Sequence, residues 1–245
     1  MRQKGDIEIM SDLEYPKIDT LYDRNGRRFV DVKRLSLRRP EFGMIKRFSL
    51  TEKIHGMNTR TTLFNNGEVV YGGRTDEAQM PTELLGYLEK IFTPEKMKSV
   101  FWLPNKRIPM SATIYGEGYG PGIVPGSGIY RGDIAFRLFD CLVIDEDNDW
   151  WLERRSLEDI ARKLGIKCVP LLGVINFLPR SVEEIRQIFI AHRNRMVVVE
   201  DGGQVEFASE GEGIVAKSYP ELLFNRKGER IMWKLKIRDF ERKNY

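Results

Sequence analysis

A chain of 245 residues, 41% hydrophobic and 31% charged, fits a soluble globular protein of one large domain or two small ones with a sizeable core. No apolar run approaches the roughly 18 to 20 residues that cross a bilayer, and no apolar segment follows Met1-Arg2-Gln3-Lys4-Gly5-Asp6, so neither a membrane span nor a secretory signal is expected. The net charge of +4, from 40 basic and 36 acidic residues, is mild for a nucleic-acid binder. Cys141 and Cys168 sit far apart in apolar contexts without metal-ligand spacing and read as reduced core residues of a cytoplasmic protein, while two histidines exclude an all-histidine metal site.

Residues 1 to 23 are mixed and polar, with Tyr15-Pro16-Lys17-Ile18 extended because of the proline. Asn25-Gly26 is a turn signal of the hairpin type. Arg24, Arg27, Arg28, Lys33, Arg34, Arg38, Arg39, Lys46 and Arg47 then face only Asp31 and Glu41 in their span. That cluster reads either as a polyphosphate-binding surface, with Arg38, Arg39 and Lys46 the candidate nucleic-acid contacts, or as a solvated basic face.

In Leu50-Thr51-Glu52-Lys53-Ile54-His55-Gly56-Met57-Asn58, Lys53 stands at a predicted strand end just before a turn. Gly56 permits that turn or a close approach to a ligand. A lysine amine is protonated at neutral pH and becomes a nucleophile only when desolvated or crowded by cations. A surface lysine ahead of a hairpin is the alternative. Thr59–Phe64, Asn65-Asn66-Gly67 and Glu68–Tyr71 form a predicted hairpin that ends in Gly72-Gly73-Arg74-Thr75. Leu84, Leu85, Leu88, Ile91 and Phe92 predict a helix over 82–92, and Thr93-Pro94 starts another. A strand from Ser111 runs into the glycine-rich stretch Gly116-Glu117-Gly118, and residues 134–144 form the most apolar strand. Helices are expected from Ser156 to Gly165 and from Ser181, where Glu184 is spaced for a capping box. Glu210 to Lys217 returns to strand, and alternation over Ile231–Ile237 throws Lys234 and Lys236 onto one face. No repeat or low-complexity linker interrupts the chain, and the reading is a single α+β domain on twisted antiparallel sheet.

Two lysines on a half-buried face are costly unless an anion explains them, and a nucleotide phosphate would. Two separated glutamates, Glu117 and Glu212, suit magnesium, which takes oxygen ligands and keeps water.

Taken in order, Lys53-Ile54-His55-Gly56-Met57-Asn58, Tyr115-Gly116-Glu117-Gly118, Phe136-Arg137-Leu138-Phe139-Asp140, Glu212-Gly213-Ile214-Val215-Ala216-Lys217 and Trp233-Lys234-Leu235-Lys236 resemble the motif series of the covalent nucleotidyltransferases. These are the ATP-dependent DNA and RNA ligases and the mRNA capping enzymes. The resemblance is strongest, through K-x-H-G-x-N, to the phage RNA ligases that seal nicked duplex, and it runs from Lys53 to Lys236. It implies an ATP-grasp-like nucleotidyltransferase fold, twisted antiparallel sheets flanked by helices, and an ATP-dependent RNA ligase that joins 3′-hydroxyl and 5′-phosphate ends. Lys53 would carry AMP, Lys234 and Lys236 would grip the α-phosphate, and Glu212 would serve a Mg2+ or Mn2+ ion. Phe139 would stack on adenine, Glu117 would hold the ribose, and Arg74 the ribose or phosphates. Asn58 would lie near the phosphates and metal waters. His55 stands where many family members carry aspartate, which suggests a subset of RNA ligases or a hydrogen-bonding turn residue.

Other assignments keep two readings. Phe139 stacks or is core, while Phe136 belongs to the core; Arg74 binds or merely ends a hairpin; Lys217 contacts phosphate or is solvated; Trp233 stacks on nucleic acid or packs. The chain stops at Tyr245, soon after Lys236, which gives the expectation of a single nucleotidyltransferase domain over 1–245 without a C-terminal oligonucleotide-binding domain. The expected partner is RNA, as nicked duplex or single-stranded ends, with DNA as the alternative. A minimal DNA ligase, a GTP-using capping-type enzyme and a non-catalytic nucleic-acid-binding module remain open, as does the oligomeric state.

Overall fold

The computed structural model describes residues 13–24, 29–30, 32–102, 109–146, 148–203, 211–221 and 223–240. The Asn25-Gly26 turn, the cations Arg27 and Arg28, Asp31 and Glu210 therefore lie outside the described residues, although Arg24 and Val30 form an isolated antiparallel bridge on either side of the turn. The strands in chain order are β1 (Asp19–Thr20), β2 (Phe48–Lys53), β3 (Met57–Phe64), β4 (Val69–Gly73), β5 (Ser111–Tyr119), β6 (Ala135–Ile144), β7 (Asp149–Trp151), β8 (Lys167–Cys168), β9 (Leu171–Ile175), β10 (Gly213–Ser218) and β11 (Met232–Lys236). The helices are α1 (Glu41–Met44), α2 (Thr82–Ile91), α3 (Pro94–Phe101), α4 (Arg154–Leu164), α5 (Val182–Ala191) and α6 (Val197–Glu200). Among the described residues no helix is long and apolar enough to cross a membrane.

Two compact units form, and each has its own sheet. One contains Met1–Pro16, Gly56–Gly128 and Gly132–Cys168; the other contains Lys17–His55, Ile129–Arg131 and Val169–Tyr245. The architecture is α+β with mainly antiparallel sheets, as the sequence predicts, but two short pairings are parallel: β1 with β11 and β8 with β6.

In the first unit the sheet order is β4-β3-β5-β6-β7. The β3–β4 hairpin turns where expected, with Gly67 at φ 85° and Asn66 Oδ1 accepting the Glu68 N–H at 2.9 Å. Leu84, Leu88 and Phe92 of the α2 stripe bury in one core with Leu63, Ile114, Phe136 and Leu138, joined by Leu157, Ile160 and Leu164 from α4. Thr93 caps α3 through Oγ1, and Gly165 ends α4 in the left-handed region at φ 72°. The two glycines flanking Glu117 exist for this core. A Cβ on Gly116 would fall 2.0 Å from Phe136 Cζ, and one on Gly118 would fall 2.6 Å from Leu84 Cδ1. Between β5 and β6 the register runs from Tyr115↔Asp140 to Gly116↔Leu138, so Phe139 is the extra residue of a β-bulge.

In the second unit the order is β1-β11-β10-β2-β9. Alternation runs across the three central strands, apart from Ser49, Gly213 and Met232, which are buried on the second face. Leu50, Ile214, Ala216, Trp233 and Leu235 are fully buried on one face, while Thr51, Lys53, Val215, Lys234 and Lys236 are half-buried on the other. Ser181 caps α5 by accepting the Glu184 N–H. Glu184 does not complete the expected capping box, because its carboxylate accepts the N–H of Arg180, one residue before the cap.

Candidate active site

Strand β10 runs antiparallel between β2 and β11, and Gly213 is the cross-strand neighbour of both Lys53 and Lys236. A Cβ on Gly213 would sit 2.2 Å from the Leu235 carbonyl oxygen, so only glycine allows this approach. Glu212, immediately ahead, takes both amines: Lys53 Nζ donates to Oε2 at 2.7 Å and Lys236 Nζ donates to Oε1. His55 Nδ1 lies 3.7 Å from the same Oε2. All three chains of this ion triad are shielded, Lys53, Glu212 and Lys236 being 19%, 9% and 13% exposed at the side chain.

Burial works against the Glu212 charge, but the two lysines outweigh it and hold the carboxyl below its usual range. Burial lowers Lys236 despite its bond to Glu212. Lys234 is brought down to about 8 by burial first, then by Lys236, Lys53 and Arg24, with Asp239 opposing. Lys53, Lys234, Lys236 and Arg24 set against Glu212 and Asp239 leave an excess of positive charge at adjoining strand ends. That arrangement attracts a polyphosphate and offers an amine as nucleophile once the amine leaves its ion pair.

Three side chains that sequence reasoning passed over support this cluster. Tyr130, buried, accepts the His55 N–H on its hydroxyl at 3.0 Å and so holds the chain two residues beyond Lys53. Asp239, 1% exposed, pairs with Arg24 at 2.6 Å and accepts the Lys236 N–H at 3.0 Å. Glu52, also buried, accepts the Val197 N–H at 2.8 Å. The signal for Glu52 was available: a glutamate on the apolar phase of an alternating strand needs a buried donor.

Lys53, His55, Glu212, Lys234 and Lys236 thus belong to one unit, whereas Asn58, Arg74, Glu117 and Phe139 belong to the other. Within that unit Asn58 and Glu117 are direct cross-strand neighbours, with Arg137 next in the same row on β6. Asn58 Oδ1 is buried without a hydrogen-bond partner among the described residues, an orphan that an incoming donor would satisfy. The half-buried Phe139 ring meets Tyr15 edge-on at 5.0 Å, and the Tyr15 hydroxyl donates to buried Asp140 Oδ2 at 2.8 Å. Arg74 is exposed, but its carbonyl accepts from Tyr15 N–H and from Arg60 Nη1, both at 3.2 Å. Arg60, buried and ion-paired with Asp76, therefore fixes the loop that presents Arg74. Neither Tyr15 nor Arg60 stood out in the sequence, because an extended N-terminal stretch and an arginine inside a hairpin carry no signature of their own.

The basic region is less free than its composition suggests. Arg39 binds Asp19 at 2.6 Å and Glu229 at 2.5 Å, and Arg38 pairs with Asp23 at 3.0 Å on the surface. Lys46 is exposed and makes no ion pair among the described residues. Trp233 is fully buried against Phe48, ring centroids 5.4 Å apart, so its part is packing. Lys217 is half-buried and pairs in register with Ser49 and Met232, four residues along β10 from Gly213. No cluster of three or more metal-ligating side chains occurs among the described residues. A single carboxylate, Glu212, fits an ion that retains most of its water, as Mg2+ does, and such an ion would compete with the two lysines for both oxygens.

The family model described as RNA ligase matches residues 46–236. No curated protein matches the chain. Among solved structures, a variant of the Naegleria gruberi RNA ligase with ATP and Mn is similar at 16% identity and TM-score 0.54, over 80% of this chain and 51% of that one. Another variant of the same ligase, with AMP and Mn, is similar at 17% identity and TM-score 0.53, over 93% and 60%. An archaeal ATP-dependent RNA ligase is similar at 19% identity and TM-score 0.53, over 91% and 48%. At these identities the likeness is one of fold, and the chain spans about half the length of the structures it matches.

Proposed function

Because the chain belongs to the RNA ligase family, we propose that it takes AMP from ATP onto Lys53 Nζ and passes it to the 5′-phosphate of an RNA strand. The carrying observation is the ion triad in which Lys53 and Lys236, from two strands, share Glu212. In the first step Nζ, having lost a proton, attacks the α-phosphorus; a P–N bond forms and pyrophosphate leaves. The 5′-phosphate oxygen then attacks that phosphorus, the P–N bond breaks, and a 5′–5′ pyrophosphate joins AMP to the strand. Finally a 3′-hydroxyl attacks the 5′-phosphate and AMP departs.

Each step is phosphoryl transfer, governed by positioning and charge neutralisation. Lys234 and Lys236 neutralise the α-phosphate, and the strand register sets them two residues apart on one face. The Lys53–Glu212 pair must open before Nζ can attack, since an ammonium has no lone pair. A magnesium or manganese ion held by Glu212 would supply further charge neutralisation at the α-phosphate. On this reading Phe139, Glu117, Arg74, Asn58 and His55 serve the nucleotide as the family resemblance implies. The orphaned Oδ1 supports the part of Asn58. Nicked duplex or single-stranded RNA ends are the proposed substrates.

Intact-mass analysis after incubation with ATP and Mn2+ tests the first step. The expected outcome is one adenylate, mapped to Lys53 and lost in Lys53→Ala with the fold retained. An adduct that persists in that variant would place the nucleophile elsewhere. Repeating the incubation with GTP, then offering nicked RNA and nicked DNA, separates the capping-type and DNA-ligase alternatives.

A further inference from the structure

At the end of β2 away from Lys53, within the same unit, Ile45, Lys46, Phe48, Phe177, Arg180 and Glu184 line a groove of about 510 Å³. Its chemistry is specific. Phe177 follows β9 and is 47% exposed, whereas Phe48 beneath is buried. A single exposed aromatic is ordinary on a soluble protein. Here it shares a concavity with two exposed cations, Lys46 and Arg180. Lys46 has no ion pair among the described residues. Arg180 is steadied by a hydrogen bond with Tyr22, whose buried hydroxyl is pushed up to about 12 and so keeps its proton at neutral pH. Glu184, the one acid among the lining residues, is engaged by the Arg180 N–H at the start of α5, where the positive helix end complements it.

An exposed aromatic ring that shares a groove with two cations and a single acid suits unpaired nucleic acid: the base stacks on the ring and the flanking phosphates meet the charges. Paired bases have no free face to offer, so a duplex fits it poorly. We propose that this groove binds an unpaired stretch of RNA, with one base on Phe177 and the adjoining phosphates on Lys46 and Arg180. The substrate class rests on the RNA-ligase reading, but the groove is separate from the lysine cluster. The six residues of β2, at about 3.3 Å each, put it on the order of 20 Å along the strand from Lys53. It is therefore a strand-recognition subsite rather than part of the nucleotide pocket.

Fluorescence anisotropy with a short, labelled, 5′-phosphorylated oligouridylate tests the proposal across a salt series. Phe177→Ala is expected to weaken binding roughly tenfold, the stacking of about one base. Lys46→Ala should weaken it and reduce the salt slope by about one. Phe177→Trp keeps the stacking platform and should bind with quenching of the introduced indole. Unchanged affinity in Phe177→Ala, or an unquenched Phe177→Trp, would overturn the proposal. So would a change in sedimentation without a change in RNA affinity, which would make the groove a contact between two copies. Lysyl-adenylate formation, measured in parallel without RNA, should survive Phe177→Ala. If no adenylate forms while RNA binding still depends on Phe177, the enzyme reading fails and the groove stands.

Discussion

Lys234 and Glu212 show opposite signs of the same electrostatics. The amine of Lys234 titrates near 8 in the folded chain, below its ordinary 10.5, because burial and neighbouring cations disfavour its charge. Below pH 8 both folded and unfolded chains hold the proton, and the folded state bears the whole cost of burying it. Between pH 8 and 10.5 the unfolded chain binds the proton more tightly, so this group's contribution to stability improves as pH rises through that window. Lys234→Met should therefore raise the melting temperature at pH 7, with an advantage that shrinks towards pH 10, while adenylate formation is lost. A variant that melts lower than the parent at pH 7 would contradict the account. Glu212→Gln acts the other way. It leaves Lys53 and Lys236 beside each other without their shared acid, a loss of about 3 kcal/mol for a shielded pair broken on one side. The Glu212 carboxyl is held below its ordinary 4.5, so its stabilisation is complete above that value and disappears as pH falls through the folded value. The penalty of Glu212→Gln in chemical denaturation should accordingly be present at pH 7 and fade in acid.

The glycines around Glu117 show how an element positions a functional side chain through its neighbours. Gly116 is pressed against the Phe136 ring, which itself meets Phe92 edge-on at 5.1 Å. Gly116→Ala should cost about 1–3 kcal/mol by overpacking. The double variant Gly116→Ala, Phe136→Leu should recover only part of that loss, because the ring is gone while the Arg137 carbonyl oxygen still lies 2.5 Å from the added Cβ. Additive losses in a denaturant cycle would show that the glycine answers to the Arg137 carbonyl rather than to the ring. Sequence patterning does well at this scale wherever the determinants are local: the Asn66-Gly67 turn, the Thr93 and Ser181 caps and the Gly165 stop all lie within four residues of what they control. It does less well at Phe139. Strict alternation would carry through β6, but the bulge lies in the pairing with β5, and pairing is invisible in a single strand's residues. Strand β9 also escaped notice, being five residues long with Gly173 in its middle and Val174 exposed.

The motif order makes the lysine cluster legible across the whole chain, but the ion triad itself is a product of register. Lys53 and Glu212 are separated by 159 positions and meet only because β10 pairs between β2 and β11. Nothing in either strand's sequence says that Gly213 faces both lysines, and nothing local predicts the parts of Tyr130 and Asp239. This has a kinetic consequence. Both neighbours of β2, namely β9 and β10, come from the last third of the chain, so β2 cannot be paired until long loops close. The β3–β4 hairpin closes across a tight turn and needs no such search. In refolding monitored by pulsed hydrogen exchange, the amides of Arg60 and Thr62, which alternation from the Phe64 N–H to Glu68 bond turns towards β4, should gain protection before those of Thr51 and Lys53. Loosening the hairpin turn with Gly67→Ala, which forces alanine into φ 85°, should delay the first group and leave the delay between the two groups shorter. If β2 amides were protected first, the strand bearing Lys53 would have to be stabilised by local contacts, and its dependence on β9 and β10 would be wrong.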